Sequence, residues 1–383
     1  MTDWITRARE IADVLAKDAL ERDRANAAPA GEADLLRKAG LPALLIPREY
    51  GGAGEGWRTA LAVVREIAKA DGSIAQLLGY HYVNSANMWL AGSAAVRERW
   101  ARLTAEHQWL WGDAVNPIEP DLTLTPDSRG YLLNGKKTFA TGASVGDVIA
   151  VTGTDGTDLF LVAVRAGAPG IEFGGDWDNL GQRLSASGSV TFTGVEVPHE
   201  NVIGSISDPT PLASGITPAI QAVFGHLYLG IAEGALATAR AYTLQGSRPW
   251  VLGGQSSVTD EPYVLAAYGD HAARLAAVGA FADAVAAELD AALARGDALT
   301  WEERGEVAAR VAALKVVSTD VALDVTSKIF EVTGARSTAN RYGFDRFWRD
   351  VRTHTLHDPV AYKRREVGLH YLTGAVPPFT LYT

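Results

Sequence analysis

The spacing of apolar side chains changes twice along this chain, and that double change restricts the fold more than any other feature. Over 3–26 apolar residues recur at helical spacing through Ile5, Ala8, Ile11, Ala12, Leu15 and Ala19. A short helix is predicted near 32–39, ending at Gly40. After the Pro- and Gly-punctuated link LPALLIPREYGGAGEG, further helices are predicted at about 57–70, 73–91 and 93–104. From about 108 to 205 the period falls to two. The runs 122–125 and 131–134 flank the turn Pro126–Gly130, and 147–154 and 158–164 flank a turn at Asp155-Gly156, so both read as hairpins. In SGSVTFTGVEVPHENVIG the inward parity switches between Phe192 and Val195, which predicts a bulge at Gly194. From about 212 the helical period returns in four long stretches, 215–246, 262–296, 301–334 and 359–371. The reading is an α+β multidomain chain: an N-terminal helical domain over 1–107, a middle β-barrel or sandwich over 108–210, and a C-terminal four-helix bundle with a tail over 211–383.

Composition removes several function classes. Thirty-five basic against 45 acidic residues leave a net charge of −10, which disfavours nucleic acid and anionic membranes as partners. There is no cysteine, so disulfides, thiolate nucleophiles and cysteine-held metal clusters are excluded. The charged N-terminus lacks a signal-peptide core, and no uninterrupted apolar run is expected to span a bilayer, so a cytoplasmic location is expected. His354 and His357 are three apart, but no third ligand or HExxH pattern accompanies them, and no metal is expected. Neither a GxGxxG after a strand nor a P-loop is found, so a nicotinamide site in this chain is not expected.

Helices, then strands, then a helical bundle is the layout of the acyl-CoA dehydrogenase superfamily, and the motifs agree. The run Asn134-Gly135-Lys136-Lys137-Thr138-Phe139-Ala140-Thr141-Gly142-Ala143 resembles the segment that leads to the flavin ring in that superfamily. Leu180-Gly181-Gln182-Arg183 resembles its Gly-x-Arg element, and the run from Phe344 to Asp350 resembles its Glu-Arg-x-x-Arg-Asp run. The closer resemblance is to the flavin-dependent monooxygenase branch, the group of the dibenzothiophene, indole and carbazole oxygenases. It is carried by IPREYGG (46–52), VVREIAKADGS (63–73), GYHYVNS (79–85), YLGIAEGALATARAYT (228–243) and ARSTANRYGFDRFWRDVRTHTLHDPVAYK (335–363), and it runs from about 10 to 375.

The resemblance implies a two-component monooxygenase. Reduced flavin (FMNH2 or FADH2) arrives from a separate NAD(P)H-dependent flavin reductase, oxygen adds to form a C4a-hydroperoxide, and a sulfur- or nitrogen-containing aromatic substrate is oxygenated. It also implies a homotetramer. His357 falls where many relatives carry the region of a catalytic base. As a proton donor to the peroxide it is the leading catalytic candidate, with Asp358 tuning or orienting it; the plain alternative is a helix-start motif before Pro359. His81 is expected in the pocket, against the alternative of a core histidine. Trp111, Asp113, Phe139, Thr141, Trp177, Ser187 and His354 are implied flavin contacts, and Arg248 and Arg336 implied phosphate contacts, against the ordinary fate of arginine as a surface ion pair. The branch typically has Asn at the position of Asp113 and Ser at that of Thr141. The carboxylate exchanges an amide for an acceptor and points toward a substrate amine or indole N–H, a different flavin contact, or a protonated Asp113. The competing readings are an acyl-CoA dehydrogenase with Asp358 as base, an amine N-hydroxylase, and a catalytically silent flavin-binding protein. The tail VPPFTLYT is expected to pack over the pocket or on a neighbouring subunit.

Overall fold

The structure, a computed structural model, describes residues 3–119 and 122–383. The N-terminal part holds α1 (Trp4–Ala16), α2 (Ala19–Ala25), α3 (Ala30–Lys38), α4 (Trp57–Ala68), α5 (Gly72–Ala91) and α6 (Ala94–His107). The single helix predicted over 3–26 is broken, and Arg22 shows why. Its guanidinium caps the Leu15 carbonyl at 2.6 Å and pairs with Asp71 at 2.8 Å, so the end of α1 is satisfied by a side chain instead of by another turn. Asp71 in turn caps α5, accepting from the N–H groups of Ser73 and Ile74. The helix α5 is buried on nearly every side, packed between α4, the middle sheet and the C-terminal helices.

The middle part contains β1 (Trp111–Ala114), β2 (Leu122–Asp127), β3 (Gly130–Lys137), β4 (Val148–Thr154), β5 (Leu159–Arg165), β6 (Ile171–Phe173), β7 (Val190–Pro198) and β8 (Val202–Ser205). Both predicted hairpins form, as β2–β3 and β4–β5. Among the described residues the strands make one mixed, eight-stranded sheet in the order β6-β7-β3-β2-β4-β5-β8, with β1 paired parallel to β4. One edge of β4 is shared by β1 and then β2, both parallel to it. β4 is also covered on both faces: Val148 and Ala150 pack with Trp100 and Trp111, while Ile149 and Val151 pack with Leu124 and Phe192. The β3–β7 register slips opposite Gly194, which sits at φ +61 and donates its N–H to Asn134 at 2.8 Å, so the predicted bulge is there.

The C-terminal part runs through α7 (Pro211–Ser214), α8 (Ile216–Gly246), α9 (Pro262–Leu293), α10 (Trp301–Thr333), α11 (Asp345–His354) and α12 (Val360–Thr373). The four long stretches of helical periodicity become α8, α9, α10 and α12; α11 is an additional helix. A capping box between Thr300 and Glu303 starts α10. The stretch Pro211–Gly246 is, by length and composition, apolar enough to cross a membrane, which corrects the sequence reading; 89% of its most apolar window is buried, as in a core helix. Two glycines let α8 approach the end of α4 closely: a Cβ on Gly230 would stand 2.4 Å from the Arg65 carbonyl oxygen, and one on Gly234 2.0 Å from that of Lys69.

The three parts are tied by the two motifs singled out above. The N–H of Gln182 donates to Asp350 at 2.7 Å and that of Gly181 to Thr353 at 2.8 Å. Arg349 reaches Asp23 of α2 at 2.5 Å and the carbonyl of Leu180 at 2.8 Å. Helix α2, the Leu180–Arg183 corner and α11 therefore meet at one joint.

Candidate active site

The turn between α11 and α12 carries His357 and Asp358. Its first hydrogen bond, from the N–H of His357 to the His354 carbonyl at 3.0 Å, winds the chain so that the two histidine rings stack, with centroids 5.9 Å apart and planes within 14°. Their environments differ. His354 is buried, its Nδ1 paired with the Tyr228 hydroxyl at 2.9 Å and its Nε2 3.5 Å from the Tyr80 hydroxyl. Burial, with the neighbouring His357 and Lys315 charges, holds it well below the usual histidine range. His357 keeps a third of its side chain accessible and turns Nδ1 to Asp358 Oδ1 at 3.0 Å, so among the described residues its Nε2 has no partner. Phe224 of α8 lies against both rings, at 4.6 and 4.8 Å, and Tyr80 of α5 and Tyr382 of the tail meet His357 edge-on.

Asp358 is not free. Its Oδ1 also accepts from Lys315, a residue of α10 with no exposed side-chain surface, and Gln221 Nε2 lies 3.4 Å away. Gln221 Oε1 accepts from the same ammonium at 2.8 Å. Burial pushes Asp358 up, but the bond from His357 and the Lys315 charge outweigh it and hold the carboxyl well below the usual range. Burial draws Lys315 down to about 8, with Asp358 resisting.

Opposite this cluster stands β1. Asp113 faces Asn84 of α5, whose amide approaches its carboxyl together with the Thr141 N–H from the segment after β3, and no cation pairs with it among the described residues. It is only partly accessible, and burial raises it to about 7 against those two donors. Further along, Thr141 Oγ1 meets Ser187 Oγ at 2.9 Å, and Ser187 meets Ser185 at 2.7 Å. Gln76 donates to Thr141 at 3.4 Å and leaves its own Oε1 buried without a partner among the described residues. Phe139 is 60% exposed, at φ +55, with its ring edge-on to Trp177 at 5.9 Å. Gln182 and Ala186 share that left-handed backbone, and such strain gathers where a ligand is clamped. Trp177 also borders a cavity of about 210 Å³ lined by Asn26, Phe173, Arg183 and Ser189 among others. A hydroxyl chain, an orphaned buried amide oxygen and two accessible rings fit a flat, heteroatom-edged group such as a flavin ring.

The predicted residues gather in two groups along α5: His357 and Asp358 beside Tyr80, and Thr141 with Ser187 beside Gln76, while Phe139 and Trp177 pair with each other. The structure places His81 with neither group. That ring is wholly buried, accepts the Trp111 N–H on Nδ1 at 3.0 Å and meets the Pro42 carbonyl through Nε2 at 2.9 Å; burial lowers it to about 4. His81 is a core clamp, the plain alternative. The Trp111 side chain is likewise turned into the core, on Trp100 and bonded to Thr104 at 2.9 Å. His354, satisfied by Tyr228, backs His357. Arg248 and Arg336 are exposed, without ion pairs among the described residues, and neither touches the cleft residues within this chain. The sequence reading missed Lys315, Gln221 and Tyr228. The signal for Lys315 was a lone lysine inside the apolar helical run VAALKVVSTDVA.

Comparison with known proteins agrees with this geometry. Residues 5–108 match the family model for the acyl-CoA dehydrogenase N-terminal domain, and 222–361 the model for the C-terminal domain. A dibenzothiophene monooxygenase of Mycolicibacterium goodii is 42% identical over 98% of this chain and 95% of its own. Among solved structures, the methanesulfinate monooxygenase MsuC of Pseudomonas fluorescens superposes with a TM-score of 0.97 at 38% identity, covering all of both chains. TdsC of Paenibacillus sp. A11-2, in complex with FMN and indole, superposes with a TM-score of 0.94 at 38% identity over 99% of each chain. A helical part, a mixed sheet and a bundle that close on a histidine cleft therefore come with matching relatives along the whole length, and the chain belongs to the acyl-CoA dehydrogenase family, in its flavin-dependent monooxygenase branch.

Proposed function

We propose that this chain is the oxygenase of a two-component system that takes reduced FMN from a separate NAD(P)H-dependent flavin reductase and inserts one atom of O2 into a sulfur- or nitrogen-containing heteroaromatic ring, such as a dibenzothiophene or an indole. The observation that carries it is the state of Asp358. A dehydrogenase needs a free carboxylate to take an α-proton, whereas this one is held by Lys315, Gln221 and His357. What the cleft offers instead is the Nε2 atom of His357, on an accessible ring braced by Phe224 and His354.

Bound reduced flavin supplies the electrons and activates oxygen; Thr141, Ser187, Gln76, Trp177 and Phe139 are the residues that hold it. His357 moves a proton at Nε2 to and from the reacting oxygen, and Asp358 fixes the ring through Nδ1. Tyr80, Phe224 and Tyr382 line the space beside it and keep water out, which favours oxygen transfer over release of hydrogen peroxide. The chemistry suits a cytoplasmic homotetramer served by a diffusible reductase. The test is to hold protein and reduced FMN anaerobic and then mix them with oxygenated buffer containing dibenzothiophene or indole. Oxygenated product in near-stoichiometric yield supports the reading. Hydrogen peroxide alone, together with bleaching of bound oxidised flavin by an acyl-CoA, would establish a dehydrogenase.

A further inference from the structure

Lys315 sits in the middle of α10 among Val311, Leu314, Val316 and Val317, where an apolar side chain would pack without the cost of burying an ammonium. Its Nζ lies 5.1 Å from the centre of the Phe224 ring and is bonded to Gln221 and to Asp358. The Asp358 oxygen it holds is the one that His357 Nδ1 meets, so one atom is shared between an ammonium and an imidazole.

The groups around His357 can be summed by element. From α5 comes Tyr80 and from α8 come Gln221, Phe224 and Tyr228, all uncharged; burial keeps both tyrosines protonated. From α11 comes His354, which burial keeps uncharged, and from the tail comes Tyr382. On α12, Lys363 and Glu366 pair with each other at 3.0 Å and cancel. Lys315 and Asp358 remain, and they too cancel. Asp113 of β1 acts on Tyr80 and Arg352 of α11 on Tyr228, one group further from the ring, so the charges that lie nearest to it are the offsetting Lys315 and Asp358. Without the ammonium, Asp358 would face the ring alone, and protonating His357 would be the least costly way to neutralise it.

We infer that Lys315 is a positioning residue of the oxygenation site: by sharing the Asp358 oxygen it offsets the carboxylate's charge at the His357 ring, with Nδ1–H on the carboxylate and Nε2 left to exchange a proton with the reacting oxygen. This rests on the oxygenase reading for its purpose, but not for its test. The full-length protein, labelled with 13C at the histidine ring and free of flavin, is titrated by NMR; the His357 signal is identified by its loss in His357→Gln. In Lys315→Met the His357 midpoint is expected to rise by about one pH unit or more, a tenfold gain in proton affinity. In the double variant Lys315→Met/Asp358→Asn, which also guards against misfolding from an orphaned carboxylate, it is expected to return to the wild-type value. An unchanged or lowered midpoint in Lys315→Met, or a lowered one in the double variant, would overturn the inference, since Lys315 would then not be cancelling Asp358. Failure of the oxygenase reading shows elsewhere, as wild-type protein that makes only hydrogen peroxide from reduced FMN.

Discussion

Two histidines one helical turn apart end up with different jobs because one has a tyrosine hydroxyl on its Nδ1 and the other a carboxylate. His354 is spent on Tyr228, whereas His357 retains an open nitrogen. His357→Gln is accordingly expected to lower product formation by about 10²-fold or more while FMN affinity stays near wild type, read by product assay and flavin fluorescence titration. Asp113 makes a second, independent prediction. Burial raises it from the ordinary carboxylate range to about 7, so the folded state binds its proton more tightly than the unfolded state. The stability it contributes is full below the unfolded value and is lost as pH rises through about 7. Asp113→Asn, which cannot ionise, is therefore expected to raise the melting temperature relative to wild type at pH 8, with the gain shrinking toward pH 4; the same difference at both pH values would refute this. At this scale the sequence was only partly legible. It offered His357, Thr141 and Ser187 as candidates, because a chemically apt residue in a matching motif needs no knowledge of distance. It misplaced His81 and Trp111, because whether a side chain on α5 or β1 turns toward the cleft or the core depends on which neighbour supplies a partner, here Pro42 and Thr104. Lys315 went unseen because its partners lie on other elements, Asp358 being 43 residues away in the chain.

Elements were more legible than residues, since periodicity is a local property of the chain. The hairpins, the bulge at Gly194 and the long C-terminal helices could all be read from spacing and turn residues. The break between α1 and α2 could not, because it depends on Arg22 finding Asp71. Nor could the doubly covered β4, whose second face is supplied by Trp100 and Trp111. Glycines inside α8 look like flaws in a helix until the packing is known. Gly234→Ala would gain about 1 kcal/mol of helix propensity, yet its methyl group would collide with the Lys69 carbonyl, 2.0 Å from the new Cβ. Net destabilisation of about 1–3 kcal/mol is expected, as is usual for overpacked contacts. Urea denaturation checks this, and a stabilised variant would show that α4 yields freely.

At the scale of the whole molecule, the order of helical, strand and helical parts was plain in the sequence, while the way they close was not. The neighbours of His357 come from α5, α8, the turn itself and the tail, so no part supplies them alone. The tail shows how closure is secured. Lys363 donates to the Tyr382 carbonyl at 2.5 Å, Arg304 to that of Thr383, and Val376 lies against Gly305, which places Tyr382 beside His357. Truncation after Gly374 is expected to leave a folded protein, with native far-UV circular dichroism, whose product yield falls and whose peroxide release rises. Undiminished yield would remove the tail from the site. Lys315 carries a different lesson. The helix α10 is at once a structural member of the bundle and, through that one buried ammonium, the support of the carboxylate that meets His357. Selection for a sturdier bundle and selection for a better catalyst thus act on the same few turns. On the role inferred for Lys315, an apolar residue at that one position would trade the setting of His357 for a better-packed helix.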